Sequence, residues 1–260
     1  MEHINTKKIA VIMGNGPSLR GFNFPEELKN IDTFGMNAAY RYWNDIGWYP
    51  TYYSCLDPAV GECHKEEIAR LIQNQDTNKI KKFILRANVI KYLQKNGFIN
   101  ENVINFDFWY IRNKLTGMFS DFQTTGSFTA LWAAVMGYNV LLLIGIDANF
   151  PSEKLAEAKI CDVKNNIEKI SPQKTTLLQL TDTPQVNQNY FFDGYQKKGD
   201  FYFMANKDTY TENYIHIKSW EFIPDAMKKY NCKIINANPE SKLPFFPKCT
   251  WNEAKSLYIQ

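Results

Sequence analysis

The chain has 260 residues, 45% of them hydrophobic and 22% charged, with a net charge of +3. That balance excludes a wholly disordered chain and gives no broad electrostatic basis for nucleic-acid binding. Five cysteines, at 55, 63, 161, 232 and 249, form no CxxC pair and are odd in number, which argues against a disulfide framework and for a reducing compartment.

The first element is the apolar run Lys8 to Met13, which predicts a strand over 7–13. Gly14-Asn15-Gly16-Pro17-Ser18 follows directly. Two glycines let the backbone turn sharply and come close to a ligand, and successive N–H groups at a strand end can cradle an anion. The loop lacks the Lys-Ser/Thr of a Walker loop and the glycine spacing of the dinucleotide fingerprint. Asn15 adds an amide instead. The plain alternative is an ordinary strand-to-helix turn.

A helix is expected over 25–30, then a strand over 31–36 that ends in Gly35-Met36-Asn37, then a helix over 37–45. The strand 51–57 ends in Cys55-Leu56-Asp57-Pro58, ahead of a helix over 60–75. A strand 82–86, a helix 87–96 and a strand 103–108 continue the alternation. In the helix 124–137, Phe128, Leu131, Trp132 and Val135 fall at i, i+3, i+4 and i+7 on one stripe. Thr124 or Thr125 can cap its start and Gly137 can close its end. The strand 139–146 is a near-continuous apolar run, as in a central parallel strand, and runs into Gly145-Ile146-Asp147.

Residues 150–215 break this rhythm. The segment is polar in its first half and rich in aromatics in its second, among them Tyr190, Tyr195, Tyr202 and Tyr214. A long aperiodic segment of this kind reads as a functional lid, with a small subdomain or partner-binding arm as the alternative. A helix over 217–230, a strand over 232–236 and a helix over 251–258 close the chain. Alternating strands and helices predict one Rossmann-like α/β domain over 1–260, with a mostly parallel sheet, helices on both faces and 150–215 inserted as the lid.

Ligands of open parallel sheets bind at the carboxyl ends of the strands. Those ends here carry Asn15 and Ser18, Asn37, Asp57, and Gly145-Ile146-Asp147, with Thr124-Thr125-Gly126 at a helix start. A helix N-terminus favours an anionic group. Together the set suits a nucleotide or another phosphorylated ligand, although Asn37, Asp57 and Asp147 could each serve as a cap. Metal-binding motifs are absent: the three histidines stand at 3, 64 and 216, with no His-x-x-His and no Asp-x-Asp. A site without a metal neutralises a leaving phosphate through hydrogen bonds, a helix end, or Tyr, Lys and Arg side chains. His216 precedes the last amphipathic run and is the simplest general base. Its alternative is a packing residue.

The motifs Gly14-Asn15-Gly16-Pro17-Ser18-Leu19, Asn37, Asp57-Pro58, Thr124-Thr125-Gly126, Gly137-Tyr138 and Gly145-Ile146-Asp147 resemble those of bacterial sialyltransferases of glycosyltransferase family 42. They also resemble the wider superfamily of motility accessory factors and 6-hydroxymethylpterin pyrophosphokinase-like proteins. The resemblance implies metal-independent, inverting transfer from a CMP-sugar. It places Asn15, Gly16 and Ser18 at the phosphate and ribose, and Asn37 at the donor. Thr124, Thr125 and Gly126 fall at the sugar carboxylate or the cytidine, and Gly145, Ile146 and Asp147 in the nucleoside pocket. Three positions depart from the family. Asp57-Pro58 replaces Asn-Pro, Asn149 stands where a phosphate-binding Tyr is expected, and the family's histidine position falls near Thr211 rather than at His216.

The reading that follows is a cytoplasmic bacterial glycosyltransferase that builds a surface glycan such as lipopolysaccharide or capsule. It moves a sialic-acid-like or other acidic sugar from a CMP-linked donor to a glycan acceptor, with no cofactor beyond that substrate. His216, or failing it Asp57 or Asp193, takes the acceptor proton. Tyr195, Tyr202, Tyr214 and the helix start at Thr125 steady the departing phosphate. Nucleic acid and a membrane span are not expected. Peripheral membrane association and a homo-oligomer stay open. Two alternatives remain: a magnesium-dependent pyrophosphokinase using Asp57 and Asp147, and a non-catalytic nucleotide-binding module.

Overall fold

The computed structural model describes residues 8–113, 124–149, 158–160, 175–205 and 216–259. In chain order the strands of the main sheet are β1 (Ile9–Met13), β2 (Asp32–Met36), β3 (Tyr52–Cys55), β4 (Lys82–Leu85), β5 (Val103–Asn105), β6 (Val140–Ile144) and, after the insertion, Lys233–Asn236. Their order across the sheet is Lys233–Asn236, β6, β1, β2, β3, β4, β5, and every pairing is parallel. The chain steps outward from β1 to β5, then returns to the other side of β1 as β6. The strand order therefore reverses between β1 and β6, which is where an open parallel sheet binds its ligand.

The helices between the strands are α1 (Phe24–Glu27), α2 (Tyr40–Ile46), α3 (Pro58–Gln73), α4 (Gln75–Asn78), α5 (Ala87–Lys95), α6 (Phe106–Arg112) and α7 (Thr125–Val135), followed later by Ile223–Lys229 and Trp251–Tyr258. Successive strand residues point to opposite faces. Val11, Met13, Leu142 and Ile144 accordingly feed one core. Ala10, Ile12, Leu141 and Leu143 feed the other. Each side chain of this size contributes about 1.5–3 kcal/mol when fully buried. α7 is buried from Thr125 to Ala134, so the burial extends all round the helix, beyond the one apolar stripe its spacing showed. No helix among the described residues is long and apolar enough to cross a membrane.

Several boundaries differ from the sequence reading, each for a local reason. The strand expected over 103–108 stops at Asn105, whose Oδ1 accepts from the N–H groups of Asp107 and Phe108 and starts α6. The strand expected over 51–57 stops at Cys55 because Asp57 caps α3 and Pro58 occupies its first turn. The helix expected over 217–230 is helical at 216–218, breaks into a turn at 219–222 and resumes at Ile223–Lys229, where Pro224 sits in the first turn. Within 150–215 lies a three-stranded antiparallel sheet that the sequence reading missed: β7 (Ala158–Ile160), β8 (Thr175–Leu180) and β9 (Phe201–Ala205), in the order β7-β8-β9. With that strand series counted, Lys233–Asn236 is β10.

Candidate active site

The loop after β1 and the loop after β6 are bound together. Gly14 N–H donates to the Ile144 carbonyl at 2.8 Å and Gly16 N–H to the Gly145 carbonyl at 2.9 Å. Ser18 donates twice to Asp147, from its N–H at 2.9 Å and from its hydroxyl at 2.5 Å. Asn238 Nδ2 adds a third donor to Asp147 at 2.8 Å. This corrects one expectation: the N–H groups of Gly14, Gly16 and Ser18 hold the crevice together and do not form an anion cradle. It also explains the glycines. A Cβ on Gly14 would lie 2.2 Å from the Gly145 oxygen, and one on Gly16 would lie 2.4 Å from Asp147 Oδ2.

The start of α7 joins the same place. Ile146 Cδ1 lies 2.6 Å from a Cβ built on Gly14 and 3.4 Å from one built on Gly126, so it packs between the two loops. Met36 and Trp220 also border Gly126. Thr125 Oγ1 accepts from Leu56 N–H at 3.3 Å, which ties the end of β3 to α7. Thr124 caps α7 by accepting from Ser127 N–H, and its hydroxyl meets Ser219 Oγ at 2.9 Å. Ser219 in turn donates to the His216 carbonyl at 3.0 Å. His216 thus lies in the helical residues 216–218, tied through Ser219 to the α7 N-terminus. Burial pushes its pKa down from 6.5 to about 4, so the imidazole is neutral at pH 7.

Asparagines supply the polar interior. Asn37 has φ +55°, a left-handed conformation unusual for a non-glycine residue, and its carbonyl accepts from Tyr53 OH. Asn15 Nδ2 donates to Tyr195 OH at 3.0 Å. The side-chain oxygens Asn15 Oδ1 and Asn37 Oδ1 are buried with no hydrogen-bond partner among the described residues. A buried acceptor left unpaired costs about 1–3 kcal/mol, so two of them on adjacent strand ends point to a ligand with N–H or O–H donors.

The second half of the predicted lid is packed into the body of the fold. Phe191 N–H donates to the Asn15 carbonyl, and Phe191 and Tyr195 belong to the main core. Tyr195 stacks on Tyr190 with ring centres 3.7 Å apart, and burial raises its pKa, which keeps the hydroxyl protonated as a donor. Tyr202 lies on β9, paired with Leu178 of β8. Tyr214 lies outside the described residues. Asp193 pairs with Arg20 at 2.8 Å and accepts from Asn187 N–H, which hold its carboxyl below its ordinary range. It fastens the lid and is a weak base. Asp57 Oδ1 accepts from Ala59 and Val60 N–H; burial raises its pKa against those bonds and the nearby Arg86.

Arg86 is a residue the sequence reading missed. It ends the β4 segment, lies 5.1 Å above the Phe106 ring and sits 3.9 Å from Asp107. The signal was a lone cation at the carboxyl end of a predicted strand. The magnesium-dependent alternative needs Asp57 and Asp147 as open ligands, and Asp147 is closed off by Ser18 and Asn238.

No family model and no curated protein matches the chain. Among solved structures, the monofunctional alpha-2,3-sialyltransferase Cst-I of Campylobacter jejuni is similar over 95% of this chain and 82% of its own, at a TM-score of 0.52 and 17% identity. The sialyltransferase CST-II of the same species, in complex with a trisaccharide acceptor and CMP, is similar over 94% of this chain and 86% of its own, at 0.51 and 17%. The fold is that of these sialyltransferases. At this identity the likeness concerns architecture, and the chemistry of the crevice has to be argued from its own residues.

Proposed function

We propose that the chain is a glycosyltransferase that moves an acidic, sialic-acid-like sugar from a CMP-linked donor to a glycan acceptor without a catalytic metal. The observation that carries this reading is the pair of unpartnered oxygens, Asn15 Oδ1 and Asn37 Oδ1, at the carboxyl ends of the adjacent strands β1 and β2, β1 bordering the strand-order reversal of a fold shared with a CMP-bound sialyltransferase. Ribose hydroxyls and a cytosine amine are donors of the kind these oxygens lack.

Neutral His216 accepts the proton of the acceptor hydroxyl. The oxygen attacks the anomeric carbon of the donor sugar, the bond from that carbon to the phosphate oxygen breaks, and CMP leaves with the electron pair. The N-terminal turn of α7 and the Tyr195 hydroxyl, held by Asn15, face the developing charge. The acceptor belongs to a bacterial surface glycan, and the protein works at or near the inner face of the membrane.

A thermal-shift panel of CMP, CDP, UDP, GDP and ATP tests the reading, because a ligand of the native state raises the midpoint by mass action. CMP gives the largest shift, and transfer from a CMP-sugar proceeds with no added divalent cation. A shift with ATP alone, or turnover that requires added Mg²⁺, overturns it.

A further inference from the structure

A second polar cluster lies between α3 and the segment leading into β9. Cys63 Sγ is 3.7 Å and His64 Nε2 is 3.9 Å from Asp200 Oδ1, and the three ligand atoms lie within 4.8 Å of one another. Cys63 Sγ is also 3.8 Å from the Gly199 carbonyl oxygen. We propose that Cys63, His64 and Asp200 form a site for a zinc-class transition-metal ion that fastens the inserted segment to α3.

The donor set is a thiol, an imidazole and a carboxylate, the three side-chain types that zinc takes. A tetrahedral ion about 2.0–2.3 Å from each ligand sets neighbouring donors roughly 3.3–3.8 Å apart. The distances of 3.7 and 3.9 Å to Asp200 Oδ1 are close to that spacing, and with all three atoms within 4.8 Å a small side-chain adjustment closes the set on an ion. His64 and Asp200 are 4% and 7% exposed, so bulk water does not compete freely for the ion. The surroundings orient the donors in the manner of metal sites. His64 Nδ1 bonds to Tyr40 OH at 2.7 Å, which leaves Nε2 facing Asp200. Arg41 grips both oxygens of Asp200, at 2.5 and 2.9 Å, and Lys197 N–H donates to Oδ2 at 2.8 Å.

Protonation is consistent with a ligand role. Burial lowers the His64 pKa to about 4, so the imidazole binds an ion without first losing a proton. The Cys63 thiol, pushed up to about 11 by burial and by Asp200, releases one proton as its sulfur bonds to the metal. Thiolate and carboxylate then supply two negative charges to the divalent ion, and Arg41, bonded to the same carboxylate, leaves the cluster with one net positive charge. The sequence concealed the cluster because Asp200 is 137 positions from Cys63.

The test uses the metal-stripped full chain titrated with Co²⁺ and followed by absorption. One equivalent produces a thiolate-to-cobalt charge-transfer band with intense visible bands of tetrahedral type, and Zn²⁺ bleaches both. Zinc at a hundredfold excess over its Kd raises Tm by about 5–10 °C. Cys63→Ser abolishes the charge-transfer band, His64→Gln weakens Co²⁺ binding at least about tenfold, and Cys249→Ser leaves both unchanged. No charge-transfer band at stoichiometric Co²⁺ with an unmoved Tm, or the same band in the folded Cys63→Ser variant, overturns the proposal and leaves a hydrogen-bonded clasp only. CMP binding on the same preparations reads the transferase proposal separately, because the cluster holds none of the groups assigned to transfer.

Discussion

At the scale of single residues, two substitutions separate chemistry from construction. His216→Ala removes the base and leaves the β1 and β6 loops intact. The CMP-induced thermal shift therefore stays near the wild-type value while the transfer rate falls by about 10²–10⁴, the usual size of a general-base contribution. Turnover near wild type removes His216 from the mechanism. Gly16→Ala behaves differently. Gly16 has φ −69°, which any residue adopts, so the objection to a methyl group is space alone. The new Cβ would lie 2.4 Å from Asp147 Oδ2, and Ser18 and Asn238 hold that carboxylate in place. Overpacking of this kind costs about 1–3 kcal/mol, and it pries apart the two loops that shape the crevice. The expected result is a lower urea midpoint together with weakened CMP binding. An unchanged midpoint refutes the steric account.

At the scale of elements, the inserted segment is held by several ties, of which the buried Arg41–Asp200 pair can be tested by itself. Arg41 of α2 makes a two-pronged bond to Asp200 and donates to the Tyr195 carbonyl at 2.8 Å. Arg41→Met strands a buried carboxylate, a change that costs about 3–5 kcal/mol, and the loss falls on the attachment of residues 187–200. Limited proteolysis then cuts the insertion well before the main sheet, whereas equal rates in variant and wild type argue against the tie. This attachment was not legible in the sequence. The strand ends were, because an apolar run followed by Gly-Asn-Gly or Gly-Ile-Asp carries its own local signal, and a parallel sheet brings such ends together wherever the strands sit. The antiparallel sheet of β7, β8 and β9 depends on pairings across a polar, aperiodic stretch. The Arg41–Asp200 bond joins residues 159 positions apart. Neither leaves a periodic trace. The capping of α3 by Asp57 lay between these extremes: the cap residue was visible, but the apolar run beside it drew the expected strand too long, and the cap of α6, Asn105, was hidden inside the strand expected over 103–108.

At the scale of the whole molecule, stability depends on keeping two histidines neutral. His64 and His216 fall from an ordinary pKa of 6.5 to about 4, in both cases chiefly through burial. The unfolded chain therefore binds more protons than the folded one between about pH 6.5 and 4. Stability contributed by the neutral imidazoles is fully present above pH 6.5 and is lost as pH falls toward 4. For His64, almost fully enclosed, the loss is on the order of 3 kcal/mol; for His216, which keeps some exposure, it is smaller. Asp57 runs the other way, since burial raises its pKa and the folded state takes up its proton sooner as pH falls. Two histidines outweigh that single carboxyl over this window. On the metal-stripped chain the urea midpoint should drop steadily from pH 7 to 4.5, and His64→Gln should flatten the slope while leaving the part due to His216. A wild-type midpoint that holds constant over that range would mean that His64 is solvated and charged, and that the polar cluster between α3 and β9 is not closed to water.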